Sequence, residues 1–123
     1  MPDPNLVVLY VKDARQSAEF YSDLFGRRPV EASPRFAMFA SGSGMMLGIW
    51  ARGEVTPAAA AAPGCSEIVI PVADRAALQA LLADWRARKI PIAQEPTQMD
   101  FGYTFVALDP DGHRLRVLVP AQA

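Results

Sequence analysis

The side chains that most readily do chemistry are scarce in this chain, which carries one cysteine, Cys65, and one histidine, His113. One of each rules out a zinc-finger spacing and leaves Cys65 with His113 as the sole Cys–His pair that could form a nucleophile. Cys65 follows Gly64 and precedes Ser66, with no Lys, Arg or His nearby in sequence to favour a thiolate, so it reads as an inert thiol. His113 comes after Asp109-Pro110-Asp111-Gly112 with no Ser or Cys placed beside it, and reads as a solvated turn residue. Asp100 reads as a turn carboxylate ahead of a strand. The remaining chemistry is that of aromatic planes. Tyr10, Phe36 and Trp50 could stack on a flat ring, and Trp50 follows Met46 and Gly48 at the alternate spacing that puts all three on one face of a strand.

Two runs of elements would position these residues. Leu6 to Val11 is apolar and β-branched and ends at Lys12-Asp13, a strand meeting a helix N-cap. Asp13 with Gln16 makes a capping-box pattern, Ala14, Ala18, Tyr21 and Phe25 recur at helical spacing, and Gly26 supplies the stop, which predicts a helix over 14–25. Strands are expected near 28–32, 35–41 and 45–51, the last two joined by Ser41-Gly42-Ser43-Gly44. Residues 52–64, with a run of five alanines between prolines, read as a linker that is either a short helix or a loose connector. The order then restarts. Ser66 to Val72 closes on Asp74, and Leu78, Leu81, Leu82 and Trp85 follow at helical spacing, with Trp85 in the core and the helix ended by Ile90-Pro91. Strands near 92–97, 101–108 and 113–119 complete the set, the last two joined by Asp109-Pro110-Asp111-Gly112.

The chain is therefore a repeat, with Asp13 aligned on Asp74 and Gly44 on Gly112. Two βαβββ modules, about 5–51 and 65–119, predict an α+β fold in which the small sheets curl around a shared concavity with helices outside. At 123 residues this is one domain, and 51% hydrophobic residues against 20% charged are enough for a core. Twelve Lys and Arg balance thirteen Asp and Glu, a net charge of −1 with no basic face, so nucleic acid is not an expected partner. No apolar stretch has the length of a membrane span, and Met1-Pro2-Asp3-Pro4 has no signal-peptide character, so a cytoplasmic protein without a membrane partner is expected. Exposed sheet edges and the extended linker predict a homodimer, whether the modules pair within a chain or are exchanged between chains.

Val11-Lys12-Asp13 entering a helix with Ser17-Ala18-Glu19-Phe20-Tyr21, then Leu24-Phe25-Gly26, and the late Asp109-Pro110-Asp111-Gly112-His113 resemble the vicinal oxygen chelate superfamily over nearly the full length. That superfamily includes glyoxalase I, extradiol dioxygenases, fosfomycin-modifying enzymes and bleomycin-binding resistance proteins. The resemblance implies its fold. Its metalloenzymes take ligands seven residues before each capping Asp and four after each turn Gly, which here selects Leu6, Gly48, Glu67 and Arg116. Of these, Glu67 alone offers a ligand atom, so no metal and no other cofactor is expected. Ser33-Pro34-Arg35-Phe36 and Gly48-Ile49-Trp50-Ala51 look most like the phenazine-binding antibiotic-resistance branch, whose members sequester their drug between aromatic side chains.

With that register, Met46, Gly48 and Trp50 should line the concavity with Val8, Tyr10, Val69 and Leu118, while Met45, Leu47 and Ile49 pack beneath the helix. Gly48 should leave room for a flat ligand against the sheet. Phe36 with Phe39, and Phe101 with Tyr103, are expected to share a face within each pair, with the face undetermined. Glu67 and Arg116 should form an ion pair. The expected function is sequestration of a planar aromatic antibiotic or metabolite, with no bond broken. Trp50 would stack, and Tyr10, Phe36, Gly48, Met46, Glu67 and Arg116 would complete the ligand contacts. A metal-dependent lyase, dioxygenase or thiol transferase of the same superfamily is the alternative, and an interaction domain plugged by its own side chains is a third reading.

Overall fold

The computed structural model describes residues 1–122. The chain divides into two compact units, Met1–Ala62 and a second beginning at Pro63. In the first, β1 (Leu6–Val11) runs into α1 (Ala14–Phe25), followed by β2 (Glu31–Ala32), β3 (Phe36–Ala40) and β4 (Met46–Ala51). The sheet order is β1-β4-β3-β2, with β1 parallel to β4 and the other pairs antiparallel. The second unit repeats this with β5 (Glu67–Pro71), α2 (Arg75–Ala87), β6 (Ile92–Met99), β7 (Gly102–Leu108) and β8 (Arg114–Pro120), in sheet order β5-β8-β7-β6. This is the expected α+β pair of βαβββ modules.

Both helices begin at the aspartates that the sequence marks. Asp13 Oδ1 accepts from the backbone N–H of Arg15 and Gln16, at 3.0 and 3.1 Å, and Asp74 Oδ1 from that of Ala77 at 2.8 Å. These bonds satisfy first-turn donors that have no partner within the helix. Gly26 closes α1 in the left-handed region, at φ 65°. α2 stops at Ala87, before the expected Ile90-Pro91 boundary, and Lys89 adopts the left-handed conformation there, at φ 61°. The alanine run forms no helix. After a 3-10 turn at Arg52–Glu54, the Arg52 guanidinium donates to the carbonyls of Ala59 and Ala61, at 3.3 and 2.5 Å, and ties the connector back on itself.

Each sheet buries one face beneath its own helix. In the first unit Leu9, Val11, Ala37, Phe39 and Ile49 are buried on that side, and Phe39 meets the α1 rings of Tyr21 and Phe25. In the second, Phe105, Leu115 and Val117 are fully buried, and Trp85 of α2 meets Phe105 edge to face, with centroids 5.5 Å apart. The repeat register holds at the level of residue pairs. Leu6 lies opposite Met46 and Val8 opposite Gly48 in the first unit, while Glu67 lies opposite Arg114 and Val69 opposite Arg116 in the second.

Three face assignments are corrected. Phe36 and Phe39 are three residues apart on one strand, an odd spacing that sends them to opposite faces, so Phe39 is core and Phe36 is not. Phe101 precedes β7 and lies in the turn, so it escapes the alternation it would have on the strand. Tyr103 lies on the helix side, where Gln79 donates to its hydroxyl and the Arg75 guanidinium sits 4.0 Å from its ring centroid. Met45 also departs from expectation. It precedes β4 and is exposed, whereas Leu47 and Ile49 lie on the helix-covered face.

Candidate functional site

In the first unit the sheet face turned away from α1 is built by alternation from β1, β4 and β3. Tyr10 pairs with Trp50, Trp50 with Phe36, Val8 with Gly48, and Leu6 with Met46, and side chains of paired residues emerge on the same side. Tyr10, Phe36, Met46, Gly48 and Trp50 are thus brought together on one surface. The Tyr10 and Trp50 rings meet nearly at right angles, 6.1 Å between centroids and 77° between planes, and form an aromatic corner. Trp50, Phe36 and Met46 are half-buried and Tyr10 is exposed, so the surface retains accessible apolar area.

Gly48 does not leave the gap foreseen for a ligand. A β-carbon there would lie 3.2 Å from Phe36 Cζ and from Val8 Cγ2, and 3.3 Å from Phe36 Cε1. The Phe36 ring itself occupies the space above the glycine. Gly48 therefore acts by letting Phe36 lie close to the sheet.

The face turned away from α2 in the second unit carries charge. Arg116 Nε donates to Glu67 Oε1 at 2.7 Å, and Nη1 donates to Gln94 Oε1 at 3.0 Å and to Thr104 Oγ1 at 3.2 Å. Acceptors from β5, β6 and β7 thus fix one guanidinium on β8. Thr104 is fully buried and donates its own hydroxyl to the Val117 carbonyl at 2.7 Å, which turns its oxygen lone pairs toward Arg116. The Phe101 ring lies with its centroid 5.5 Å from Arg116 Cζ and is 46% exposed. Gln94, Thr104 and Phe101 carried no sequence signal for this network, because their meeting depends on the pairing of β6 and β7 with β8. A separate shallow groove beside α1, lined by Arg15, Glu19, Ser22 and Ser33, contains none of the expected site residues.

The remaining reactive residues are placed as follows. Cys65 and Asp100 are exposed. His113 is part-buried and donates its backbone N–H to Asp109 Oδ1 at 2.8 Å, closing the turn into β8.

The family model of the Glyoxalase/Bleomycin resistance protein/Dioxygenase superfamily matches residues 4–117. The chain belongs to this superfamily. Over 117 residues it is 36% identical to the phenazine antibiotic resistance protein EhpR of Enterobacter agglomerans, a match covering 93% of this chain and 89% of that protein. Among solved structures it is similar to protein ATC0852 from Agrobacterium tumefaciens, with 41% identity, a TM-score of 0.88, and coverage of 99% of this chain and 100% of that one. A glyoxalase-related enzyme from Fulvimarina pelagi, 22% identical over 97% of this chain and 88% of its own, shares the fold with a TM-score of 0.83.

The superfamily's metalloenzymes make a divalent ion the group to test for. Leu6 and Gly48 have no donor atom at the positions concerned, and Arg116 is a permanent cation whose Nε already holds the Glu67 carboxylate. Among the described residues, no three His, Cys, Asp or Glu side chains come together where they could share an ion. These four residues do not fit a divalent metal, because they offer one carboxylate and a guanidinium already bonds it.

Proposed function

We propose that this protein sequesters a planar aromatic small molecule of the phenazine type, as a non-catalytic antibiotic-resistance or metabolite-binding protein. The observation that carries the reading is the corner made by Tyr10 and Trp50 beside Phe36, apolar, part-exposed and lacking a reactive group. A fused ring lying on one plane and abutting the other gains stacking and apolar burial together. The 36% identity to a phenazine antibiotic resistance protein supports the same ligand class. Trp50 is the stacking residue in this reading. Tyr10, Phe36 and Met46 add apolar contact, and Gly48 admits Phe36. The whole chain is taken as one binding domain that works as a homodimer in the cytoplasm.

The metal-dependent lyase, dioxygenase and thiol transferase alternatives lose support on the chemistry of Leu6, Gly48, Glu67 and Arg116. Elemental analysis of the purified protein is expected to find no stoichiometric transition metal, and one equivalent per chain would restore them. The binding reading is tested by adding phenazine while following tryptophan emission and the melting temperature. Saturable quenching is expected, with about 2.7 kcal/mol of added stability at a hundred times the dissociation constant. Emission and melting that stay unchanged up to the solubility limit would refute it.

A further inference from the structure

The charges on the face of the second sheet turned away from α2 do not balance. Arg114 lies opposite Glu67 and Arg116 opposite Val69, so the two arginines, two residues apart on β8, emerge on the same side about 7 Å apart along the strand. Among the described residues Glu67 is the one carboxylate that the strands bring to this face, because Glu95 of β6 is drawn to Arg86 of α2. One carboxylate thus stands against two permanent cations. Arg116 takes it up. Its side chain is 11% exposed, Nε holds Glu67 Oε1, and Nη1 goes to Gln94 and Thr104. Arg116 Nη2 and the whole guanidinium of half-buried Arg114 meet no acceptor among the described residues. No buried side-chain nitrogen or oxygen among them lacks a partner, so these donors keep contact with solvent. The rest of the surround is apolar. Val69, beside Arg116, is 47% exposed, and the exposed Phe101 ring has its centroid 5.5 Å from Arg116 Cζ.

We propose that this face is a binding site for a small aromatic carboxylic acid in its ionised form, the carboxylate taken by Arg114 and by Arg116 Nη2, and the ring laid against Phe101 and Val69. Spare guanidinium donors recognise a carboxylate through charge-assisted hydrogen bonds, and the apolar neighbours require a ligand with an apolar body. Glu67, Gln94 and Thr104 are positioning residues. They hold Arg116 from three strands, and a donor already locked by other bonds loses little freedom when the ligand arrives. Arg114 supplies the positive charge that Glu67 leaves uncompensated. The site lies wholly within the second unit and takes no residue from the aromatic corner of the first, so it is a second binding function that does not rest on the sequestration reading.

Titration of the ¹⁵N-labelled full chain with benzoate, benzyl alcohol and inorganic phosphate, followed by backbone amide shifts, tests this. Benzoate is expected to shift amides of β5, β8 and the Phe101 turn saturably, and to bind at least about tenfold tighter than benzyl alcohol, the effect of a charge-assisted contact. Phosphate, which brings charge without a ring, should bind more weakly than benzoate. Arg114 makes no hydrogen bond or ion pair within the described residues, so Arg114→Gln should leave the melting temperature unchanged while weakening benzoate about tenfold, and Arg114→Lys should recover part of the loss. Glu67→Gln keeps an acceptor for Arg116 and removes the opposing charge, and should tighten benzoate about threefold or more. A merely structural role for these residues would move the melt and leave benzoate affinity alone. Amide shifts confined to β1, β3 and β4, equal affinity for benzyl alcohol, or unchanged benzoate affinity in Arg114→Gln overturns the proposal. Phosphate binding as tightly as benzoate overturns the assignment to an aromatic acid. Each of these failures leaves the phenazine reading of the first unit standing, since phenazine is not the probe.

Discussion

Trp50 and Gly48 carry most of the argument at the scale of single residues, and they differ in how far sequence could reach them. The side of the sheet on which Trp50 lies follows from strand alternation and the repeat, and it is the side found. Aromatic stacking is worth about 1 to 3 kcal/mol per base in nucleic-acid complexes, so Trp50→Ala is expected to weaken phenazine binding at least about tenfold with the melting profile little changed. Unaltered affinity in a calorimetric titration would remove Trp50 from the site. The role of Gly48 was not legible, since no sequence pattern reveals which neighbour fills the space above a glycine. With Phe36 and Val8 carbons 3.2 Å from where the β-carbon would stand, Gly48→Ala must push the Phe36 ring aside. That crowding should cost about 1 kcal/mol in urea unfolding and alter ligand affinity through Phe36. A neutral substitution on both counts would mean that the ring moves freely.

The elements were more readable than their edges. Helix starts follow from Asp13 and Asp74, whose carboxylates cap the first turns as a short polar side chain before an apolar stripe should. Strand identities came from apolar, β-branched runs and the turns between them, whereas faces failed where a residue lies just beyond a strand end, as Met45 and Phe101 do. The Asp109 turn is the sharpest element-level signal. Its carboxylate accepts from the backbone of Asp111 at 2.9 Å and of His113 at 2.8 Å, and the residue is 4% exposed. Asp109→Ala strands both donors and should destabilise the second unit by about 2 kcal/mol in chemical denaturation. Gly102 is more demanding, and it was invisible in the sequence. It opens β7 at φ 146°, and a β-carbon there would lie 2.1 Å from the Val119 carbonyl oxygen. Gly102→Ala is expected to cost about 3 kcal/mol or more, or to abolish soluble expression. A stable Gly102→Ala protein with an unchanged melt would show that the β7 to β8 pairing is looser than described.

For the whole molecule, the internal repeat made the architecture legible, because two copies of one pattern fix strand order and register twice over. The two sheets show the same order and the same residue pairing. The repeat also shows how the copies have diverged. The positions that hold Leu6 and Gly48 in the first unit hold Glu67 and Arg116 in the second, leaving one sheet with an aromatic face and the other with a fixed charge pair. Oligomeric state follows from neither copy alone. The expected homodimer should sediment at twice the 13.3 kDa chain mass at micromolar concentration, and a single species at the chain mass would contradict it. The central claim is that the protein holds a flat aromatic ring and leaves it chemically unaltered. Equilibrium dialysis against phenazine, followed by mass analysis of the ligand recovered from the protein compartment, tests both halves at once. Saturable retention approaching one ligand per chain, with all of it recovered unchanged, is the expected result. Absence of retention, or recovery of a modified compound, would contradict the account.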